Sequence, residues 1–257
     1  MGCVFAFLIL KYVCCCSGGK DSVCSVILCK EFGLQLDYVI YSEIMFDKKR
    51  DISLENEQHI RFVKEILKPQ IEAWGVKFLI LHSDMDYLDC FNRKIENPRK
   101  HMEHKGLRFG FPVQGFCGVK RDCKIRPIKE FYRNLNEPYV EIVGIAADEP
   151  KRLAAMKKSP NKVSVLEKYG YTEEMARKKC EEYGLLSPAY EFSNRGGCIL
   201  CPYARLEEHL YLKKNNPELW AEFVSLEDAN DIAFNRWNVH RETLKERDKI
   251  LAGMMED

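Results

Sequence analysis

The most chemically distinctive segment of the sequence is a glycine loop, Ser17-Gly18-Gly19-Lys20-Asp21-Ser22. Two adjacent glycines allow a tight turn whose backbone N–H groups point at one spot, and Lys20 adds a full positive charge. An apolar, β-prone run precedes the loop and a helix-like run follows it, so a helix dipole would add to that charge. Ser17 and Ser22 supply hydroxyl groups. The pattern predicts a phosphate-binding turn between a strand and a helix.

A second chemical pattern is the Cys198-x-x-Cys201 knuckle, which a glycine precedes and a proline follows. This spacing lets two thiolates bind one metal. Another pair, Cys117 and Cys123, lies upstream. Together the four thiolates would suffice for tetrahedral Zn²⁺ or for a [4Fe–4S] cluster. The spacing alone also permits Cys117 and Cys123 to be plain thiols.

The composition is that of a globular enzyme with an unusual number of cysteines. The chain has 257 residues, 46% hydrophobic and 31% charged, with a net charge of +1 that does not argue for or against a nucleic-acid partner. Its twelve cysteines do not follow a disulfide-scaffold spacing, which indicates a reducing, cytoplasmic location. Five of them lie in the first strand and helix, where we expect them to fill the core: Cys14, Cys15, Cys16, Cys24 and Cys29.

Basic and aromatic residues interleave between Phe91 and Phe109. Such a run could form a nucleic-acid face, since aromatic rings stack on bases and cations attract phosphates. More often it is a solvated surface loop. The sequence leaves both interpretations open.

The first 150 residues alternate between β-like and helix-like runs, which predicts a Rossmann-like α/β fold with helices on both faces of a parallel sheet. Ligands of such sheets bind at the carboxyl ends of the strands, where the glycine loop falls. Pro69 should kink or split the second helical run, which Gly75 ends. The predicted strands are Tyr12–Cys16, Leu36–Tyr41, Lys77–His82 and Tyr139–Ile145, and the predicted helices are Ser22–Phe32 and Leu54–Trp74.

Residues from about 151 onward show helical periodicity without a convincing strand. Thr172 is a predicted N-cap of a helix that ends near Gly184. Further helices are predicted at Leu206–Lys213, Pro217–Val224 and Arg236–Asp257. We therefore expect a nucleotide-binding domain at 1–150 and a helical, cysteine-containing region at 151–257.

No membrane association is expected from the sequence. The apolar stretch Cys3–Leu10 is too short to span a bilayer and lacks a basic n-region, so we interpret it as an extension of the first strand. A homo-oligomer is compatible with the sequence, which does not determine the oligomeric state.

Five segments together resemble the PP-loop ATP pyrophosphatase superfamily, and within it the phosphoadenosine phosphosulfate (PAPS) reductase-like proteins. The resemblance covers Lys11 to about Leu226 and keeps the family's order of motifs. The segments are Ser17–Ser22, Arg121–Ile128, Gly144–Arg152, Tyr169–Thr172 and Arg195–Pro202.

This resemblance implies that the loop binds ATP and that the enzyme cleaves it between the α and β phosphates. Lys20 and Asp21, together with Lys124 and Arg126 facing the phosphates or the acceptor, would carry catalysis. Asp148, Glu149 and Arg152 would lie near a strand end, with the acids available for Mg²⁺ or proton transfer. Cys117, Cys123, Cys198 and Cys201 would hold a metal, and related DNA-phosphorothioation proteins favour a [4Fe–4S] cluster over Zn²⁺.

One departure from the family separates the candidate functions. True sulfonucleotide reductases share a C-terminal motif with a nucleophilic cysteine, whereas this sequence has no cysteine after Cys201. We therefore expect a transferase that adenylates an acceptor, with sulfur transfer to a nucleic acid as its most natural version. A PAPS or APS reductase or sulfotransferase is the first alternative. A non-catalytic nucleotide- or nucleic-acid-binding module with a structural metal site is the second.

Overall fold

The computed structural model describes residues 9–113, 115, 117–191, 193, 197–234 and 242–256. Several parts of the sequence predictions lie outside the described residues. These are most of the Cys3–Leu10 stretch, Arg195 and Gly196 of the cysteine motif, and residues 236–241 and 257 of the last predicted helix.

The strands of the described residues are short. They are β1 (Lys11–Cys15), β2 (Tyr38–Ser42), β3 (Met45–Asp47), β4 (Ile52–Ser53), β5 (Lys77–Leu81), β6 (Arg108–Gly110), β7 (Tyr139–Ile142), β8 (Lys162–Val163) and β9 (Ile232–Phe234).

The helices alternate with these strands in the first part of the chain. They are α1 (Lys20–Glu31), α2 (Glu57–Arg61), α3 (Lys68–Ala73), α4 (Tyr87–Asn92), α5 (Arg126–Leu135), α6 (Pro150–Met156), α7 (Val165–Lys168), α8 (Glu173–Glu182), α9 (Leu206–Asn215), α10 (Pro217–Ser225) and α11 (Leu244–Glu256). Single π-helical segments cover Phe62–Leu67 and Lys120–Ile125, and 3₁₀ turns cover Met102–His104, Pro188–Glu191 and Leu226–Asp228.

Five strands form one parallel sheet in the order β5-β2-β1-β7-β8. In its register Val13 lies opposite Tyr38 of β2, and Cys14 lies opposite Ile142 of β7. The predicted α/β fold with a parallel sheet is therefore confirmed. The first strand is central because both of its edges are paired, and this places the glycine loop in the middle of the sheet's carboxyl edge.

Helices cover both faces of this sheet. Cys14 and Cys16 lie in one apolar cluster with residues of α1, whereas the Cys15 Sγ lies 3.3 Å from the Tyr132 hydroxyl of α5. Successive residues of a strand point to opposite faces, so α1 and α5 lie on opposite sides of the sheet. The predicted core role is confirmed for Cys14, Cys16, Cys24 and Cys29, whose exposures are at most 2%, whereas Cys15 is only partly buried.

The second helical run is interrupted as Pro69 predicts. The chain passes from α2 through the π-helical segment Phe62–Leu67 into α3, whose first turn contains the proline. The proline nitrogen has no hydrogen, so it cannot donate the backbone hydrogen bond that an α-helix needs at this point. The wider π-helical turn before the proline accommodates this missing hydrogen bond. Gly75, with φ +84°, follows the end of α3.

The chain divides into two compact units. The first comprises Met1–Ser42, Glu57–Leu81 and Ile128–Tyr190 and contains the five-stranded sheet. The second comprises Glu43–Asn56, His82–Pro127 and Glu191–Asp257. This division differs from the single boundary expected at residue 150, because the chain crosses between the units repeatedly.

The second unit has its own aromatic core and two small sheets. Strands β3 and β4 pair antiparallel, and β6 and β9 pair parallel. The core side chains include Tyr87, Phe91, Phe111, Trp220 and Phe223. Strands β8 and β9 correct the expectation that residues after 151 form no strand. They span two and three residues, too short to produce a period-two pattern.

Among the described residues, no helix has both the length and the apolar character needed to cross a membrane.

Candidate functional site

The glycine loop lies between β1 and α1, as the sequence predicts. Gly18 has φ +72°, a conformation that residues with a side chain rarely adopt. A Cβ at this position would also lie 2.7 Å from the His59 ring. The first glycine of the pair is thus required by both backbone conformation and space.

The two serines of the loop have different environments. Ser22 is buried, and its hydroxyl donates to the Gly19 carbonyl at 2.9 Å and accepts the Ser17 N–H at 3.2 Å. Ser17 is exposed, and its hydroxyl accepts the Gly19 N–H at 3.4 Å. Ser22 therefore shapes the loop, whereas Ser17 presents a hydroxyl at its surface.

Sequence reasoning missed His59, which supports the loop from behind. Its Nε2 lies 3.0 Å from the Ser17 carbonyl oxygen and its Nδ1 lies 2.7 Å from the Ser187 hydroxyl. The ring is 3% exposed. A single histidine in an amphipathic helical run carries no sequence signal for this role.

Two carboxylates lie beside the lysine of the loop, and a third carboxylate lies close to both of them. Lys20 Nζ lies 2.8 Å from Asp21 Oδ1 and 3.5 Å from Glu173 Oε2. Asp21, Glu149 and Glu173 each offer an oxygen within 4.8 Å of the others. This acidic group is close enough to share a divalent cation, which prefers oxygen ligands. Glu173 was not predicted, since its helix is distant in sequence from the loop.

The charges of this group shift one another's pKa. Burial raises the pKa of Asp21, and Glu173 and Glu149 raise it further, although Lys20 opposes them. Burial alone would lower the pKa of Lys20, but Asp21 and Glu173 outweigh it and raise that pKa. Lys20 thus stays protonated among three acids, whose surplus negative charge a bound cation would neutralise.

The backbone of Lys20 is held by two residues near the end of the first unit. Its N–H donates to the Tyr190 hydroxyl at 3.1 Å, and its carbonyl accepts the Cys180 thiol at 3.2 Å. The N–H belongs to the first turn of α1, where donors lack a partner within the helix. Without the Tyr190 hydroxyl as its acceptor, the Lys20 N–H would be free to donate to a ligand.

The predicted residues after β7 have separate roles. Glu149 belongs to the acidic group, accepts the Ala146 N–H at 3.0 Å, and contacts Arg152 at 2.5 Å. Asp148 accepts the Glu173 N–H at 3.1 Å, at the start of α8. Nearby, a Cβ on Gly144 would lie 2.5 Å from the Ser22 nitrogen, so this position needs glycine.

Lys124 and Arg126 belong to the second unit. Lys124 is half-buried near the end of a π-helical segment, and Arg126 is exposed at the first residue of α5. Their predicted role in catalysis stays a prediction.

The cysteine knuckle lies within the second unit. The Ile199 N–H donates to the Leu54 carbonyl at 2.9 Å, and Cys198 bridges to Glu55 in the same short antiparallel contact. The Cys201 N–H donates to the Cys198 carbonyl at 3.2 Å, which closes the turn. The thiols of Cys198 and Cys201 also hydrogen-bond, and this contact raises the pKa of Cys198.

A third predicted ligand, Cys117, belongs to the same apolar cluster as Cys198 and Cys201. Burial raises the pKa of the Cys117 thiol, and Cys201 and Cys90 raise it further. Tyr87 is 1% exposed, and its hydroxyl has no hydrogen-bond partner in the part of the chain that the structure describes. Burial raises the pKa of Tyr87, and the neighbouring thiols raise it more, in the order Cys198, Cys117, Cys90 and Cys201. A buried polar atom without a partner, beside several thiols, fits a site that binds a metal or cluster.

The sulfur of the fourth predicted ligand, Cys123, contacts the sulfur of Cys90, which is not among the predicted ligands. Cys123 is fully buried, and its Sγ lies 3.6 Å from Cys90 Sγ and 3.5 Å from the Asp86 carbonyl oxygen. This contact lowers the pKa of Cys90 and raises that of Cys123. Cys90 was missed, because a single cysteine in a short helix carries no ligand spacing.

The sulfur spacing bears on the kind of metal. All five of these cysteines are described, and no three of their sulfurs lie within 4.8 Å of one another. A tetrahedral zinc ion with bonds of about 2.3 Å needs its thiolates about 3.8 Å apart. A [4Fe–4S] cluster places each thiolate on a different iron and so accepts a wider spacing.

The basic and aromatic segment is only partly available to a ligand. Phe91 is buried, Arg93 pairs with Asp122 at 2.9 Å, and Arg108 pairs with Asp231. The guanidinium groups of Arg93 and Arg108 also lie over aromatic rings. The exposed cations of the segment are Lys94, Arg99, Lys100 and Lys105.

The geometry defines a class of protein: a helix-flanked parallel sheet with a Ser-Gly-Gly-Lys-Asp-Ser loop after its first strand. The predicted α/β fold with a parallel sheet is confirmed, and the resemblance of its motifs to the PP-loop ATP pyrophosphatase superfamily, PAPS reductase-like, stays a prediction.

Comparisons with known proteins give remote similarities. No family model matches the chain. An uncharacterised protein of Methanocaldococcus jannaschii, MJ0066, is 23% identical over 223 residues, and the match covers 82% of this chain and 40% of the relative's length.

Two solved structures are also similar. The U34-tRNA thiolase NcsA of Methanococcus maripaludis, with its [4Fe–4S] cluster, is 14% identical, with a TM-score of 0.42 over 95% of this chain and 72% of its own. A PAPS reductase of Candida auris is 10% identical, with a TM-score of 0.44 over 76% of this chain and 84% of its own.

Proposed function

We propose that this protein binds Mg·ATP at Ser17–Ser22, cleaves it between the α and β phosphates, and adenylates an acceptor. The observation that carries the proposal is the meeting of the glycine loop, Lys20 and the Asp21–Glu149–Glu173 acidic group within one unit. A phosphate-binding turn beside carboxylates provides for a nucleotide and for its divalent cation.

The reaction transfers an adenylyl group. An oxygen of the acceptor attacks the α-phosphorus, the bond from that phosphorus to the bridging oxygen breaks, and pyrophosphate leaves with the bond's electrons. Loop N–H groups and Lys20 would stabilise the charge that develops on pyrophosphate. Mg²⁺, when bound, supplies Lewis-acid stabilisation of the phosphates. Asp21, Glu149 and Glu173 are its proposed ligands.

The other predicted residues extend this proposal. Lys124 and Arg126 would contact phosphate or acceptor oxygens, and Arg152 would orient Glu149. In the sulfur-transfer version, a sulfur nucleophile attacks the adenylated carbon and AMP leaves. A nucleic acid is the proposed acceptor, and the exposed cations between Lys94 and Lys105 suit its phosphates.

The cysteine site is a proposed metal centre. Cys117, Cys198 and Cys201 belong to one apolar cluster with Tyr87, whose buried hydroxyl has no hydrogen-bond partner among the described residues, and this supports their role as ligands. A [4Fe–4S] cluster is its proposed occupant, and Zn²⁺ is the alternative. Such a cluster, when bound, would supply redox or sulfur-binding chemistry.

The test compares equilibrium binding of Mg·ATP and of PAPS to anaerobically purified protein. Lys20→Ala is the test variant, and Lys30→Ala, a change at an exposed lysine of the same helix, is the matched control. Preferential binding of ATP, lost only in Lys20→Ala, supports the proposal. Preference for PAPS would favour the sulfonucleotide reductase alternative, and equal binding by both variants would contradict the role of the loop.

A further inference from the structure

We propose that His59 is a positioning residue of the glycine loop. As a neutral ring with its hydrogen on Nε2, it holds the Ser17 carbonyl toward the protein interior and keeps that oxygen away from the side on which phosphate binds. This inference rests on the proposed function, because it concerns how the same loop is prepared for phosphate. His59, Ser17 and Ser187 all belong to the first unit.

The first observation is which ring nitrogen carries the hydrogen. His59 Nε2 lies 3.0 Å from the Ser17 carbonyl oxygen. A carbonyl oxygen can only accept a hydrogen bond, so Nε2 must be protonated and must donate. The hydrogen bond of one ring nitrogen in turn restricts the role of the other.

The second observation is the partner of Nδ1. This atom lies 2.7 Å from the Ser187 hydroxyl, whose oxygen accepts the Ala189 N–H at 3.3 Å. The hydroxyl can then donate its own hydrogen to Nδ1, which is an acceptor in a neutral ring protonated on Nε2. His59 and Ser187 are at most 3% exposed, so both bonds lie away from bulk water. The hydrogen bonds thus run in one direction, from Ala189 through Ser187 and His59 to Ser17.

The ring can act as a rigid anchor because packing fixes its position. Its centroid lies 6.3 Å from the ring centroid of Tyr41 and 6.4 Å from that of Phe62. A Cβ on Gly18 would lie 2.7 Å from its Cε1 atom, so the ring also lies directly against the loop. The bond to Ser187 fixes the rotation of the ring about its Cβ–Cγ bond. Ser187 therefore orients His59, and His59 orients the loop.

The third observation is the conformation of the residue after Ser17. Gly18 has φ +72°, and the freedom of glycine would let the peptide between Ser17 and Gly18 turn over. Because the His59 ring is 3% exposed, the Ser17 carbonyl that it contacts points into the protein. A turned-over peptide would direct that oxygen toward the solvent side of the loop, where its partial negative charge would repel phosphate. The donor on Nε2 stabilises the inward orientation.

The position of the hydrogen is tested on the wild-type protein with ¹⁵N-labelled histidine. NMR correlations between the ring nitrogens and the carbon-bound ring hydrogens distinguish the two neutral forms of the ring and its doubly protonated form. The His59 signals are identified by their loss in His59→Gln. We expect a protonated Nε2 and an unprotonated Nδ1 near neutral pH. A ring protonated on Nδ1 alone, or on both nitrogens, would overturn the assignment.

The positioning role is tested with a matched pair of amide side chains. The amide of glutamine reaches the place of Nε2, whereas that of asparagine reaches only the place of Nδ1. His59→Gln can therefore keep the hydrogen bond to Ser17, and His59→Asn cannot. Pyrophosphate binding in the presence of Mg²⁺ is measured by isothermal titration. We expect His59→Gln to bind within about threefold of the wild type and His59→Asn about tenfold more weakly, because one hydrogen bond is lost.

The outcomes separate this inference from the proposed function. Circular dichroism and urea unfolding verify that each variant is folded, and the NMR measurement on the wild type does not depend on the folding of His59→Asn. Normal wild-type binding with an unchanged His59→Asn, or with an equal loss in both variants, overturns the positioning role of His59 alone. Failure of the wild type to bind either pyrophosphate or Mg·ATP refutes the proposed function and the positioning role together.

Discussion

The Tyr190 hydroxyl accepts the backbone N–H of Lys20 at 3.1 Å, in the first turn of α1. An ideal Cβ on Gly19 would lie 3.2 Å from the same oxygen, so the hydroxyl lies directly against the loop. If the loop binds phosphate as proposed, this N–H group would be one of its donors, and the tyrosine oxygen accepts it in this structure. A side chain 170 residues along the chain therefore contacts the loop, and the proposed phosphate binding would involve its hydroxyl either as a competitor for this N–H or as a donor to the ligand.

Removal of this hydroxyl should make the loop more available to phosphate. In Tyr190→Phe the Lys20 N–H loses its internal acceptor, so pyrophosphate should bind several-fold more tightly, corresponding to about 1 kcal/mol. Isothermal titration of pyrophosphate in the presence of Mg²⁺ measures the change. Tyr183→Phe is the control, because it removes a hydroxyl that bonds to Glu31 away from the loop. Weaker binding by Tyr190→Phe would show that the hydroxyl is a ligand donor and not a competitor.

The acidic group should determine the Mg²⁺ requirement of nucleotide binding. Glu173→Gln removes one of its three carboxylates, so the Mg²⁺ concentration that half-saturates ATP binding should rise about tenfold or more. Glu174→Gln is a matched control, since the adjacent side chain pairs with Lys178 on the surface of the same helix. The measurement is a titration of Mg²⁺ at fixed ATP. An equal shift in both variants would rule out a specific cation site.

The close approach of β7 to the loop should make Gly144 intolerant of a side chain. A Cβ there would lie 2.5 Å from the Ser22 nitrogen and 2.7 Å from the Asp21 carbonyl carbon, so Gly144→Ala must move backbone. We expect a loss of about 1–3 kcal/mol in the free energy of unfolding, measured with urea, together with weaker nucleotide binding.

Gly253→Ala is the control for this change. It adds the same methyl group within α11, where no atom of the described residues outside the chain neighbours and the helix's own backbone lies within 4 Å of the new Cβ. That substitution should leave stability unchanged or raise it by up to about 1 kcal/mol, since alanine favours a helix. A stable Gly144→Ala variant with normal binding would contradict the steric argument.

The core cysteines should resist alkylation in the folded protein. Burial raises the pKa of Cys24 and of Cys29 from 9.0 to about 12. Because a raised pKa keeps the thiol protonated, only about one thiol in ten thousand would be a thiolate at pH 8. Native protein treated with iodoacetamide at pH 8 should therefore leave the tryptic peptide Asp21–Lys30 unlabelled, whereas urea-unfolded protein should label it fully. Rapid labelling of the native protein would mean that this helix opens readily.

The local sequence was sufficient to predict those structural features whose sequence signals, such as a glycine pair, a helix cap or a proline, span only a few residues. The glycine pair between a β-prone run and a helical run located the loop, and Thr172 was correctly predicted as an N-cap, its hydroxyl accepting the Met175 N–H at 3.3 Å. Pro69 marked the interruption of the second helical run. These features depend on backbone conformation and short-range hydrogen bonds, which neighbouring residues determine.

The composition of the site depended on the tertiary structure. Glu173 and Tyr190 reach the loop only because α8 packs against α1 and the chain returns to Lys20 from 170 residues away. The sulfurs of Cys90 and Cys123 lie 3.6 Å apart, although the two residues are 33 positions apart in the sequence. The sequence by itself determined a glycine loop at the end of a strand in a parallel sheet and a set of candidate thiols. Which acids, hydroxyls and sulfurs surround them was decided by packing, since contacts between distant segments leave no periodicity or spacing in the chain.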